Sequence, residues 1–196
     1  FMSSMANDLI IGGEGADAGV INPSGSNVLL FNRGDGQDSY IFFSGSTSTT
    51  VGEPKCTLSL GGGITYADLT LSKQNGMLVL GLGSGEQIGF INLLDLFGTS
   101  GQSFAPIKTL QFVVEAMPGY DPASSDPLLS SRIQQFDFVG LVQQFEADLA
   151  ADPTITNWQV APHLAEFSLG GSDSQALGGE PAYQYGLNAL SEMTDA

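Results

Sequence analysis

Glycines and aspartates recur near the start of the chain at a spacing that suits a metal-binding loop. Residues 12–17 read Gly-Gly-Glu-Gly-Ala-Asp, and residues 34–38 read Gly-Asp-Gly-Gln-Asp. Glycine adopts positive φ at little cost, so a loop built on it turns tightly and can aim several carbonyl oxygens at one point. The closing aspartates, Asp17 and Asp38, add anionic oxygens, and Ca²⁺ takes about six to eight oxygen ligands. These loops therefore predict calcium binding.

Further polar residues fall at related positions. Asp8 precedes Asp17 by nine residues, which is the period of the glycine–aspartate nonapeptide typical of calcium-binding parallel β-helices, and Asn27 falls one residue late for the next period. We expect the two loops to stack as neighbouring turns, with Asp17 and Asp38 as the main carboxylates. The alternative is a glycine-rich hairpin region that binds no metal. The full set of candidate ligands is Asp8, Gly12, Gly13, Glu14, Gly15, Asp17, Asn27, Asn32, Gly34, Asp35, Gly36 and Asp38.

The charge of the chain limits its partners. There are 21 acidic residues against 5 basic ones, and the net charge is −16. Nucleic acid and anionic membrane are poor partners because both require basic patches, whereas divalent cations are natural ones. No apolar run approaches the length of a membrane span, and the first residues have no signal-peptide core. Since the chain opens partway through a repeat, we expect it to be a fragment of a longer protein.

Most of the chain up to residue 114 is patterned as short strands. Apolar residues alternate with a period of two within segments that are separated by glycine-bearing turns. Asn75-Gly76 lies between two such segments and predicts a two-residue hairpin. Residues 44–53 are a polar Ser/Thr/Gly stretch and predict a loop. The predicted strands after this loop lie at 56–60, 69–71, 77–82, 87–91 and 110–114.

The remainder of the chain predicts a linker and then helices. Residues 117–131 are rich in proline and serine. Apolar residues then recur every three or four positions from Ile133 to Leu149, and Ser131 and Gln134 have capping-box spacing, so a helix is expected from Ser131. Residues 156–167 could form a second helix. The domain prediction is residues 1–116 as a calcium-binding β region, 117–131 as a linker and 132–196 as a helical cap.

Three segments resemble the haemolysin-type calcium-binding related domain of RTX proteins. They are residues 30–38 (Leu-Phe-Asn-Arg-Gly-Asp-Gly-Gln-Asp), 63–72 (Gly-Ile-Thr-Tyr-Ala-Asp-Leu-Thr-Leu-Ser) and 77–80 (Met-Leu-Val-Leu). Residues 169–186 are similar to the C-terminal tail of some large secreted RTX proteins. The resemblance implies a mainly β fold: a calcium-binding parallel β-roll that continues into a β-sheet, with a C-terminal α-helical cap. It also implies calcium-dependent folding after type I secretion and an extracellular or cell-surface location.

Enzymatic chemistry has little support in these residues. His163 is the single histidine; a triad with Ser172 or Ser174 and Asp173 would join sequence neighbours, and no Gly-x-Ser-x-Gly motif is present. One histidine and one cysteine cannot close a tetrahedral zinc site. We therefore expect a non-enzymatic module with no catalytic residues.

The competing function is an adhesin or polysaccharide-binding module in which calcium holds the scaffold. Trp158, Tyr183 and Tyr185 could form an aromatic platform for a sugar, although packing within the cap is the other role open to them. The expected partners are calcium ions, with the type I secretion machinery or an extracellular polysaccharide as further candidates.

Overall fold

A computed structural model of the chain describes residues 2–3, 6–22, 25–42, 55–92 and 107–188, so the predicted loop at 44–53 lies outside the described residues. The strands in these ranges are β1 Leu9–Ile11, β2 Ala18–Ile21, β3 Val28–Phe31, β4 Gln37–Phe42, β5 Cys56–Leu60, β6 Leu69–Gln74, β7 Met77–Leu82, β8 Gln87–Asn92, β9 Ile107–Val113, β10 Ile133–Asp137, β11 Trp158–Gln159 and β12 Ser168–Ser172. The helices are α1 Phe138–Ala151 and α2 Gly179–Gly186. Short 3₁₀ turns occupy Tyr66–Asp68, Val114–Ala116 and Ala161–His163.

The strands form two six-stranded sheets, which confirms the prediction of a mainly β fold. The first sheet has the order β1-β3-β5-β9-β10-β12, and the second has the order β11-β6-β7-β8-β4-β2. Pairing is parallel from β1 through β3 and β5 to β9, and from β2 through β4 to β8. The first five strands therefore alternate between the two sheets.

One apolar cluster joins the two sheets. Side chains of alternate residues point inward, as in β4, where Asp38, Tyr40 and Phe42 are buried and the residues between them are not. Phe112 of the first sheet and Phe90 of the second are both fully buried in this cluster. Because successive side chains of a strand point to opposite faces, the period-two pattern places one face of a strand such as β4 in the core.

The predicted hairpin at Asn75-Gly76 is confirmed. Gln74 and Met77 are paired across the turn that joins β6 to β7. Asn75 has φ 51° and Gly76 has φ 82°, so both central residues are left-handed. That conformation matches the twist of the flanking strands, and asparagine followed by glycine is the dipeptide that adopts it most readily.

The first predicted helix begins later than expected. Residues 133–137 form β10 and pair with β9, and helix α1 begins at Phe138. Asp137 is the N-cap, and its carboxylate accepts a hydrogen bond from the main-chain N–H of Gly140 at 3.2 Å. The prediction of a capping box at Ser131 is therefore wrong. Ile133 and Phe136 are buried as predicted, but they belong to a strand.

The segment after residue 132 contains the two helices, but it also contains three strands, β10, β11 and β12, which the sequence did not predict. Trp158–Gln159 pairs with β6 instead of beginning a helix, and only a 3₁₀ turn follows at Ala161–His163. β10 and β12 extend the first sheet, and β11 extends the second. Both sheets thus continue across the predicted boundary at 132. Of the two helices, α1 packs on β9 and α2 packs across β3, β5 and β9.

The predicted linker is a packed loop. The hydroxyl of Tyr66 donates to the carbonyl oxygen of Leu128 at 2.7 Å, and the side chains of Tyr120, Leu128 and Leu129 are partly buried against the core. The main-chain N–H of Asp121 donates to the carbonyl oxygen of Leu129 at 3.1 Å, which closes the loop on itself.

Within the described residues, neither helix is long and apolar enough to cross a membrane.

Candidate metal site

The two glycine-rich loops lie side by side, as predicted. Residues 12–17 connect β1 to β2, and residues 32–36 connect β3 to β4. The main-chain N–H of Gly15 donates to the carbonyl oxygen of Asp35, and the N–H of Gln37 donates to the carbonyl oxygen of Gly15, each at 3.0 Å. Because β1 pairs with β3 and β2 pairs with β4 in parallel, the connecting loops stack at one edge of the two sheets.

Equivalent glycines of the two loops share a left-handed backbone. Gly13 and Gly15 have φ 84° and 129°, and Gly34 and Gly36 have φ 101° and 97°. Residues with a Cβ adopt this region at a cost, so the glycines are required by the loop path. Gly36 is also held against its neighbour, since a Cβ there would lie 2.1 Å from the carbonyl oxygen of Gly15.

Asp17 and Asp38 converge on a small cradle above Gly12. A Cβ on Gly12 would lie 2.9 Å from Oδ2 of Asp38 and 3.3 Å from Oδ2 of Asp17. The backbone of Gly12 thus leaves open a space that a side chain would fill, and two carboxylate oxygens border it. Asp38 is only 2% exposed, and its Oδ1 accepts a hydrogen bond from the main-chain N–H of Asp17 at 3.0 Å.

A negative charge on Asp38 is costly in the absence of a cation. Burial raises the pKa of this carboxyl, and the nearby carboxylates of Asp17 and Asp35 raise it further. Hydrogen bonds from the N–H of Asp17 and from the hydroxyl of Tyr40, at 2.9 Å, act in the opposite direction and do not outweigh burial. A divalent cation bound in the cradle would remove the repulsion between the carboxylates.

Two carboxylate side chains alone do not complete the coordination shell of Ca²⁺, which takes about six to eight oxygen ligands. Among the residues that the structure describes, no group of three or more His, Cys, Asp or Glu side chains is placed to hold a metal. Ca²⁺ also accepts carbonyl oxygens and water as ligands, and a glycine-rich loop can supply carbonyls. The donor set, which is entirely oxygen, suits Ca²⁺ and does not suit zinc.

Asp35 and Asn32, two other candidate ligands, have structural contacts. Oδ2 of Asp35 accepts hydrogen bonds from the main-chain N–H of Asn32 and from the hydroxyl of Tyr185, each at 2.7 Å. The side-chain amide of Asn32 donates to the carbonyl oxygen of Tyr185 and to Oδ1 of Asn188, each at 2.6 Å. Both side chains are buried, and these hydrogen bonds connect the β3–β4 loop to helix α2. Glu14, by contrast, is exposed.

Asp8 and Asn27 lie at the other edge of the sheets. They precede the parallel strands β1 and β3, whereas the glycine-rich loops follow these strands. Asn27 is fully buried; its Oδ1 accepts a hydrogen bond from the N–H of Asp8 at 2.9 Å, and its Nδ2 donates to the carbonyl oxygen of Asn22 at 2.8 Å. The structure therefore does not bring Asp8 and Asn27 to the cradle above Gly12. Asn27 instead links Asn22, the residue after β2, to Asp8, the residue before β1.

We expect Asn27→Ala to lower the free energy of unfolding by about 1–3 kcal/mol, because it removes a fully buried side chain together with its hydrogen bonds to Asp8 and Asn22. Asn7→Ala is the matched control. Oδ1 of Asn7 accepts an equivalent hydrogen bond from the N–H of Ser26 at 2.8 Å, but Asn7 is exposed, so water can replace it at a cost below about 0.5 kcal/mol. Urea unfolding of both variants measures the difference. Equal losses would contradict the structural role of Asn27.

The ion pairs of Arg33 were not predicted from the sequence. Its guanidinium contacts Oδ2 of Asp68 and Oε2 of Glu86, each at 2.7 Å, and it also donates to the carbonyl oxygen of Leu82. Burial alone would raise the pKa of Asp68, but hydrogen bonds from Thr65 and the charge of Arg33 lower it below its usual value. Arg33 thus holds the β3–β4 loop against the β7–β8 turn. Arg33 is one of 5 basic residues in a chain with 21 acidic ones, and this imbalance was the feature of the sequence that could have predicted its ion pairs.

The residues considered for other chemistry have packing roles. The ring of His163 stacks on Trp158 with centroids 4.1 Å apart, and Trp158 donates from Nε1 to Asp148 at 2.7 Å. The hydroxyl oxygen of Ser172 accepts hydrogen bonds from the N–H groups of Ser174 and Gln175. These contacts assemble no triad.

An exposed aromatic platform is likewise not formed. Trp158 and Tyr183 are 6% and 7% exposed, and the hydroxyl of Tyr185 is bonded to Asp35. Trp158 and Tyr183 therefore present little ring surface to a sugar, and Tyr185 is half-buried.

No protein-family model, curated protein sequence or solved structure matches this chain significantly.

Proposed function

We propose that this chain is a non-enzymatic, calcium-binding module of an extracellular RTX protein, and that its first coils form a parallel β-roll that folds when calcium binds. The observation that carries the proposal is the cradle above Gly12, where the carboxylates of Asp17 and Asp38 converge between stacked loops. The similarity of residues 30–38 and 169–186 to RTX segments supports the family. The alternation of β1 to β5 between two sheets supports the β-roll.

Each part of the loops would have a separate task in holding the ion. Asp17 and Asp38 would supply anionic oxygens, and loop carbonyl groups and water would complete the shell. Gly13, Gly15, Gly34 and Gly36 permit the left-handed path, and Gly12 leaves the space. The bound ion supplies positive charge that offsets the repulsion between the carboxylates.

In this proposal the module is unfolded where calcium is scarce and folds where calcium is abundant. At low calcium, as inside a cell, carboxylate repulsion and the entropy of glycine-rich loops oppose folding. The net charge of −16 adds general self-repulsion. At millimolar calcium, as outside a cell, binding to the folded form alone would favour folding after type I secretion.

Isothermal titration calorimetry with calcium tests the proposal directly. We expect saturable binding to the wild-type chain, with magnesium binding much more weakly because it demands a smaller, near-octahedral shell. Gly12→Ala should weaken calcium binding at least about tenfold, because its Cβ would fill the cradle and crowd Oδ2 of Asp38, although the variant removes no carboxylate.

Glu166→Gln is the matched control for substitutions of the carboxylates. Glu166 is exposed and lies outside the loops, so the variant changes the net charge without touching the cradle. Asp17→Asn combined with Asp38→Asn should abolish the binding, whereas Glu166→Gln should leave it unchanged. Absence of calcium binding to the wild type would refute the proposal. A glycan array with and without calcium distinguishes the adhesin alternative, since a module that serves folding alone should bind no polysaccharide.

A further inference from the structure

Helix α2 is attached to the molecule at the same place as the β3–β4 loop. The carbonyl oxygen of Gly186, at the end of α2, accepts a hydrogen bond from the main-chain N–H of Gly62 at 2.8 Å. The two backbones approach so closely that a Cβ on Gly61 would lie 2.3 Å from Cα of Gly186. This close contact fixes the end of α2 beside the turn that follows β5.

Tyr185, in the last turn of α2, contacts the β3–β4 loop in two ways. Its hydroxyl donates to Oδ2 of Asp35 at 2.7 Å, and its carbonyl oxygen accepts from Nδ2 of Asn32 at 2.6 Å. The same Oδ2 of Asp35 also accepts from the main-chain N–H of Asn32 at 2.7 Å. The carboxylate of Asp35 is therefore held by its own turn on one side and by α2 on the other.

The backbone of Asp35 connects this contact to the other glycine-rich loop. Asp35 lies between Gly34 and Gly36, both left-handed, and its carbonyl oxygen accepts the N–H of Gly15. Gly15 in turn accepts the N–H of Gln37, next to Asp38. A continuous set of hydrogen bonds thus runs from the hydroxyl of Tyr185 through Asp35 to the loops that carry Asp17 and Asp38.

We propose that Tyr185 is a positioning residue for the candidate calcium site, and that the contact between Tyr185 and Asp35 and calcium binding at the stacked loops strengthen each other. This inference rests on the proposed function. Tyr185 does not reach the metal in this scheme; it holds the β3–β4 loop in the conformation that the metal needs. Thermodynamic linkage makes the effect reciprocal, so calcium must strengthen the contact between Tyr185 and Asp35 by the same factor.

Tyr183 is a matched control on the same helix. Its hydroxyl also donates to a carboxylate, Oε2 of Glu115, and the guanidinium of Arg132 lies 4.7 Å from its ring centroid. These partners belong to the 3₁₀ turn after β9 and to the residue before β10, away from the glycine-rich loops. Tyr185→Phe and Tyr183→Phe therefore each remove one hydroxyl and one bond to a carboxylate, but only the first change touches the loops.

Calcium titrations of the full chain test the inference, with thermal melts as the readout. Tyr185→Phe should raise the calcium concentration at half-maximal stabilisation by about fivefold or more, the lower end of typical coupling between sites. Tyr183→Phe should lower the melting temperature equally with calcium and with chelator, and its midpoint should stay within about twofold of the wild type. Equal midpoints for the two variants would overturn the coupling while leaving the proposed function intact.

Hydrogen exchange of the wild-type chain gives a second test that needs no variant. Calcium should increase the protection of amides in 179–186 as well as in 12–17 and 32–38. Protection confined to the two loops would overturn the inference, even if Tyr185→Phe failed to fold. A wild-type chain that binds no calcium would instead refute the proposed function, and the coupling would be refuted with it.

Discussion

Millimolar calcium should raise the melting temperature of the wild-type chain by roughly 5–10 °C over its value in chelator. A ligand that binds only the folded form at a hundredfold excess over Kd stabilises it by about 2.7 kcal/mol. For a chain of this size, each kcal/mol corresponds to about 2–4 °C. The stabilisation is a large share of a typical net stability of about 5–15 kcal/mol, so circular dichroism should also report more structure with calcium than without.

Asp38→Asn should remove most of this gain and should not destabilise the calcium-free protein. Burial raises the pKa of Asp38, so the charged form is disfavoured in the folded state when no cation is present. The neutral amide avoids that cost, and its oxygen can still accept the N–H of Asp17. The variant is therefore expected to melt at or above the wild-type temperature in chelator and below it in calcium.

Asp17→Ala should raise the calcium concentration that is needed for stabilisation, because one of the two carboxylates at the cradle is lost. Glu166→Gln, which makes a charge change outside the loops, should retain the full response. Thermal melts in chelator, magnesium and calcium measure all of these effects. An unchanged wild-type melting temperature and spectrum on adding calcium would mean that the loops are glycine turns and nothing more.

Gly36→Ala should destabilise the protein by about 2–5 kcal/mol, whereas Gly34→Ala should cost only about 1–2 kcal/mol. Both residues have positive φ, so both substitutions incur the strain of a left-handed residue with a Cβ. A Cβ on Gly34 meets nothing within 4 Å, but one on Gly36 would lie 2.1 Å from the carbonyl oxygen of Gly15. The added overpacking costs about 1–3 kcal/mol more.

Comparison of these two variants separates the stability lost through strained loop conformation from the stability lost through disturbed stacking of the loops. Chemical unfolding in calcium gives the two free energies, and Gly13→Ala, where a Cβ also meets nothing within 4 Å, should behave as Gly34→Ala does. A loss for Gly36→Ala no greater than for Gly34→Ala would show that the two loops are not packed against each other in solution.

Local patterns in the sequence were sufficient for the strands from β5 to β9 and for the hairpin at Asn75-Gly76. Period-two alternation and left-handed turn residues act over neighbouring positions, so no distant contact was needed to predict them. The stacking of the two glycine-rich loops was also predictable, because their repeated spacing requires equivalent backbone paths. The parallel pairing of β1 with β3 decided which candidate ligands lie at the same edge of the sheets. It placed Asp8 and Asn27 at the edge opposite to the glycine-rich loops.

Long-range contacts decided the remainder. Residues 133–137 carry apolar side chains at positions that suit a helix, but pairing with β9 satisfies their backbone and makes them a strand. Trp158 likewise belongs to a strand, because its backbone pairs with β6. The contact between Tyr185 and Asp35 joins residues 150 positions apart, and no local pattern marks it. The sequence alone thus determined which residues can turn, alternate and carry charge, whereas the sheet pairings determined which of them meet, because hydrogen bonds between strands depend on spatial neighbours and not on sequence neighbours.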